Sequence, residues 1–140
     1  MLNKAQVIGN LGQDPTIHET KDGRGYIASF SVATTEKGYT TQNGTQVPDR
    51  TEWHNIVCFN RIADVVRQYL HKGSKVFVEG KMRTRTYEDR NGVKRTIMEI
   101  NAELLEMLDS KPQQQQQQSA SAQPQSQYSS SVKDDEDLPF

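Results

Sequence analysis

The side chains best equipped for chemistry in this 140-residue chain are aromatic and cationic, and they recur at every second position. Trp53, Asn55, Val57 and Phe59 fall on one side of an extended segment, with His54, Ile56 and Cys58 on the other. Ile56 and Cys58 can satisfy a core. Trp53 and Phe59 opposite them then point to a ligand or another subunit, with ordinary packing in a closed barrel as the competing reading. Further on, Lys81, Arg83, Arg85 and Tyr87 share parity and align three cations and an aromatic ring. Cations neutralise phosphates and release counterions, while aromatic faces stack on bases of any identity. Such a surface needs unpaired bases, because a duplex keeps its bases stacked inside. For Arg83 and Arg85 taken alone, a solvated strand face is the plain alternative.

Three more groups extend the pattern. Tyr39, beside Gly38 in the stretch leading to Asn43-Gly44, is a further stacking candidate or a surface tyrosine. Arg61, Lys72 and Lys75 flank the ends of a predicted helix, where they either track phosphates or stay solvated.

The elements that must position these residues are mostly strands. Period-2 alternation and β-branched or aromatic content predict strands at Ala5–Asn10, Tyr26–Val32, Glu52–Phe59, Lys75–Tyr87 and Arg95–Ala102. Gly80 marks a bulge or bend in the fourth. Asn43-Gly44 and Asn91-Gly92 suit tight turns at loop tips. Ile62, Val65, Val66, Tyr69 and Leu70 recur with helical spacing, Asn60 standing as N-cap and Gly73 as the stop. The order β-β-β-α-β-β is that of the OB-fold, a five-stranded, partly open barrel. The expected fold class is therefore all-β with one helix, an OB-fold over residues 1–108 followed by a disordered C-terminal region.

From Pro112 to Val132 the chain is almost wholly Gln, Ser, Ala and Pro, with six consecutive glutamines. Too little apolar area is available there to offset the entropy of ordering, so residues 109–132 read as a disordered linker. The charge is divided as well. Residues 1–111 hold 16 Lys/Arg against 14 Asp/Glu, a mildly basic domain, while the last eight residues hold one Lys and four acids. In that tail Asp134, Asp135, Glu136 and Asp137 precede Leu138, Pro139 and Phe140. A partner could bury Leu138 and Phe140, hold the terminal carboxylate with a basic group and be steered by the acids. A merely solubilising end would explain the acids but not the terminal aromatic.

Other classes find little support. Cys58 is the single cysteine, which leaves no intrachain disulfide and no Cys-based zinc site. The histidines His18, His54 and His71 form no HxxxH pair, and no nucleophile elbow, P-loop or glycine-rich nucleotide fingerprint occurs. The expectation is a non-enzyme without metal or cofactor. The first residues carry no signal-peptide pattern and no run approaches a membrane span, which predicts a cytoplasmic protein without membrane contact.

Gly9-Asn10-Leu11-Gly12-Gln13-Asp14-Pro15, Thr51-Glu52-Trp53-His54, Leu70-His71-Lys72-Gly73-Ser74 and Glu79-Gly80-Lys81-Met82-Arg83-Thr84-Arg85 follow one another as in the bacterial single-stranded-DNA-binding protein family, which this sequence resembles over about residues 1–105. The tail, Asp135 to Phe140, resembles that family's partner-binding terminus. The resemblance implies a homotetrameric OB-fold that wraps single-stranded DNA, and a tail that recruits replication, recombination and repair proteins. It further implies stacking by Trp53, Phe59, Tyr39 and Tyr87, the two tyrosines standing where well-known members have tryptophan. Asn55 falls where members often carry arginine, and His54 where the family places a residue near the subunit interface. Two other readings remain beside it: an RNA-preferring OB module, and an interaction hub whose β-domain is an oligomerisation core.

Overall fold

Alternation along the chain builds the strands it predicts, and their pairing bends them into a barrel. The computed structural model describes residues 1–110. The chain divides into two units, Met1–Asp109 and Ser110–Phe140, and the fold below is that of the first. The predicted linker past residue 110 and the tail residues Asp134 to Phe140 lie outside the described residues.

Eight strands and one helix follow in order: β1 (Ala5–Leu11), β2 (Thr16–Glu19), β3 (Tyr26–Glu36), β4 (Tyr39–Thr40), β5 (Gln46–Val47), β6 (Arg50–Phe59), α1 (Asn60–Tyr69), β7 (Lys75–Glu88) and β8 (Lys94–Met107). The five long strands, β1, β3, β6, β7 and β8, match the five expected segments, and α1 lies between β6 and β7. One sheet runs β1-β7-β8-β6-β3-β2, and β1 also pairs with β3 through Asn10 opposite Ala33 and Leu11 opposite Val32, which closes the barrel. Only the β6–β8 contact is parallel among these pairings.

Inside the barrel, Ala28, Phe30 and Val32 of β3 meet Ile56 and Cys58 of β6 and Val76 and Val78 of β7. Helix α1 covers one end with Ala63, Val66 and Leu70. That stripe is rotated toward Ala63 from the predicted one. Tyr69, expected on the apolar face, is 59% exposed, which leaves its hydroxyl hydrated.

Asn60 is not a side-chain cap; it opens the helix at φ 54°, a left-handed conformation that Asn tolerates, and Phe59 holds the N-cap position without a side-chain bond. The helix ends at Leu70, before Gly73. Gly73 instead serves the following turn, closed by the Ser74 amide donating to the His71 carbonyl at 3.0 Å.

The expected irregularity at Gly80 is a register shift: Glu79 opposes Leu104 but Gly80 opposes Ala102. A Cβ on Gly80 would stand 1.9 Å from the Asn101 carbonyl oxygen, so any side chain there would force the two strands apart. Beyond it, Lys81 to Glu88 of β7 are exposed on both faces. The β7–β8 hairpin therefore projects past the barrel as an arm. Its tip is tied by Asp89, whose carboxylate accepts from the Asn91 and Val93 amides at 2.9 Å and from Arg95 Nε at 2.7 Å. These bonds, that from Arg95 foremost, lower the Asp89 pKa.

Cys58 is wholly buried, and desolvation pushes its thiol up to about 12 from 9.0. Because the folded pKa is the higher one, this group's contribution to stability is complete below pH 9.0 and declines as pH rises from there toward 12. Thiol reagents should accordingly label Cys58 at pH 8 only in denaturant. Rapid labelling of the native protein would contradict its burial.

Candidate nucleic-acid interface

Strand β6 sorts its side chains as the alternation requires. Ile56 and Cys58 are 1% and 0% exposed, whereas Trp53 and Phe59 are 58% and 43% exposed on the opposite face. Register carries that face across the sheet. Asn55 lies beside Glu99 and Val57 beside Asn101 on β8; Glu99 in turn opposes Arg83, and Asn101 opposes Lys81, on β7. Directly opposed residues project to the same side of a sheet. The aromatics of β6 and the cations of β7 therefore belong to one outer surface.

A groove of about 470 Å³ runs along this surface, lined by Trp53, Asn55, Arg85, Ile97, Glu99 and the Gly12–Asp14 segment among others. It is open because β3 places Ser29, Ser31 and Ala33 opposite Val57, Asn55 and Trp53, and small side chains leave the space beside the indole unfilled. Ser31 Oγ donates to Asn55 Oδ1 at 3.3 Å, which leaves the Asn55 side-chain N–H groups available as donors. Gly12 supports the indole: a Cβ there would lie 2.3 Å from Trp53 Cζ3. Only a bare backbone lets the ring rest in this place.

Charge is less one-sided than the sequence suggests. Arg85 bonds Glu99 through Nη2 at 2.7 Å and Nε at 3.2 Å, which raises the arginine's pKa. Its guanidinium carbon also sits 5.6 Å from the Tyr87 ring centroid. Lys81 pairs loosely with Glu103 at 3.6 Å. Arg83 makes no ion pair among the described residues.

Phe59, Lys81 and Arg83 share this face without lining the groove, and the remaining predicted residues lie outside it. Tyr39, 65% exposed, borders a separate recess on the β4–β5 hairpin. Tyr87, 39% exposed, stands out on the β7–β8 arm. Arg61, Lys72 and Lys75 are exposed near the ends of α1. The Lys72 amide donates to Asp14 Oδ1 at 2.7 Å, which ties the turn after the helix to the groove rim. His54 faces away from Trp53, half-buried, with Nε2 2.9 Å from Thr34 Oγ1.

Sequence reasoning missed Glu99 and the support role of Gly12. Glu99 shares parity with Asn101 in a predicted strand, but only the pairing register reveals that it meets Asn55 and Arg83. No cluster of metal-capable side chains occurs among the described residues.

Strand order, closure and the position of the helix define an OB-fold, and its outer face carries aromatic and cationic groups as nucleic-acid surfaces do. The chain belongs to the single-strand binding protein family, whose model matches residues 2–108. It is 52% identical over 110 residues to the single-stranded DNA-binding protein of Bacteroides thetaiotaomicron, spanning 79% of this chain and 68% of that one. It is 43% identical over 110 residues to single-stranded DNA-binding protein 1 of Xylella fastidiosa, spanning 79% of each chain. Among solved structures it resembles the Plasmodium falciparum SSB complex with ssDNA, with a TM-score of 0.67 and 34% identity over 78% of this chain and 97% of that one.

Proposed function

We propose that this protein binds single-stranded DNA with little regard to sequence, stacking bases on Trp53 and Phe59 and meeting phosphates with Arg83 and Lys81, with Arg85 beside them in its pair with Glu99. The observation that carries the reading is the continuous outer face on which exposed aromatics of β6 share register with the cations of β7. Stacking needs only a π-face, which every base has, so the site is tolerant of sequence. Tyr39 and Tyr87 extend the contact at either side, and Asn55 supplies amide donors. Arg61, Lys72 and Lys75 continue the phosphate path past α1.

Membership of the family supports the finer reading: a homotetramer with His54 near a subunit interface, acting in replication, recombination and repair. The tail from Asp134 to Phe140 recruits partner proteins in that work. Deleting residues 135–140 should leave oligo(dT) affinity intact or slightly raised while abolishing partner capture; loss of DNA binding would contradict this division of labour. Sedimentation at micromolar concentration distinguishes a tetramer from a monomer.

Titration of Trp53 fluorescence with oligo(dT), the matching duplex and the matching RNA at two salt concentrations tests the central reading. Strong quenching by oligo(dT), little response to duplex and affinity that falls with salt are expected. Tighter binding of the RNA would favour an RNA-directed OB module instead. An unquenched indole in folded protein would remove Trp53 from the site.

A further inference from the structure

A phosphate-binding face gains nothing obvious from an acid at its centre, yet Glu99 is there. It is 8% exposed, between Asn55 of β6 and Arg83 of β7, and its Oε1 takes both bonds from Arg85, at 2.7 and 3.2 Å. The two partners differ in access: the Arg85 side chain is 57% exposed and that of Glu99 only 11%. The arginine is presented to the groove while its carboxylate is set into the wall. Lys81 and Glu103 make a different pair, 3.6 Å apart and both 55% exposed, open to water and salt and easily parted.

We propose that Glu99 is a built-in competitor for phosphate, neutralising Arg85 in the empty groove and so limiting how tightly a single strand is held. This rests on the single-stranded-DNA reading above. Much of the salt-dependent affinity for nucleic acid comes from counterions released when a cation meets a phosphate. An arginine already matched by a fixed carboxylate has little mobile charge to exchange, and the arriving phosphate also faces that carboxylate. Because Glu99 is occluded, dissolved ions screen it less than they screen Glu103. The strand then stacks beside Trp53 without being clamped next to it.

The test uses the full-length chain and labelled oligo(dT) over a series of salt concentrations. Glu99→Gln keeps the side chain's shape and an acceptor for Arg85 but removes the charge. Affinity should rise about fivefold at low salt, and the slope of log K against log salt should steepen by ~0.7, the increment for one further phosphate on a single strand. In an Arg85→Gln background the same substitution should leave the slope unsteepened, because no arginine is freed. Unchanged or weaker binding by folded Glu99→Gln, or an equal steepening of the slope without Arg85, overturns the proposal. Should Glu99→Gln fail to fold, Arg85→Gln alone decides. A slope unchanged by that substitution fits an arginine already neutralised, and a slope reduced by ~0.7 overturns the idea. Wild-type protein that binds no oligo(dT) at any salt would instead remove the reading underneath.

Discussion

Trp53→Ala is expected to weaken oligo(dT) binding by about 1–3 kcal/mol, roughly 5- to 150-fold, with little change in unfolding. The indole is 58% exposed and stands at the lip of the groove. Truncation removes the stacking surface while Ile56 and Cys58 still fill the core from the other face. The size of the effect depends on placement. Trp53 rests against the bare backbone of Gly12, so its ring is held in one attitude before any base arrives and less ordering is needed on binding. Binding of the variant and the wild type should be compared by anisotropy of labelled oligo(dT), since the variant lacks the intrinsic probe. Wild-type affinity in a folded variant would place the strand elsewhere on the barrel.

Ile56→Ala should destabilise the domain by about 2–5 kcal/mol, the usual cost of truncating a buried aliphatic side chain. Ile56 is 1% exposed and packs where β3, β6 and β8 meet. Three positions on, Phe59→Ala should do the reverse: unfolding within about 1 kcal/mol of wild type, and DNA binding weakened by about 1–3 kcal/mol. The two substitutions are on one strand and differ only in the face they occupy. Urea denaturation and oligo(dT) titration of both variants give a crossed comparison. If Phe59→Ala unfolds the domain and spares binding, the outer face of β6 is an internal contact and the interface has been assigned to the wrong side. Ile56→Ala that remains folded should bind normally, because the Ile56 side chain is 1% exposed and belongs to the core.

Taken together, these outcomes would separate the work of the two faces. The core side holds the barrel closed and keeps β6 in register with its neighbours. On the proposed reading the outer side does the binding, and Glu99 within it moderates the grip on the strand.

What the sequence determined by itself was whatever depends on near neighbours in the chain. Side chains alternate with a period of two in any strand, so the division of β6 into Ile56 and Cys58 against Trp53 and Phe59 was legible in ten residues. The same holds for Ala28, Phe30 and Val32 of β3, and for the common parity of Lys81, Arg83 and Arg85. Gly80 announced its bulge because a strand interior gives a glycine few other uses. Strand β2 was not legible: Thr16–Glu19 is four residues with a single apolar side chain, and it exists because β3 offers it an edge. The rotation of α1 toward Ala63 likewise follows from the barrel end it covers.

The tertiary structure alone decided what surrounds each binding residue. Glu99 and Arg85 are 14 residues apart, and Gly12 and Trp53 lie 41 apart. No local pattern specifies such pairs; they are fixed by the register of β6 with β8, of β8 with β7, and by closure of β1 onto β3. A shift of β8 by one residue against β6 and β7 would turn Glu99 into the core and leave Arg85 a free cation. The chemistry of the surface was written in residue types, but its strength depends on which charges the folded barrel brings into contact.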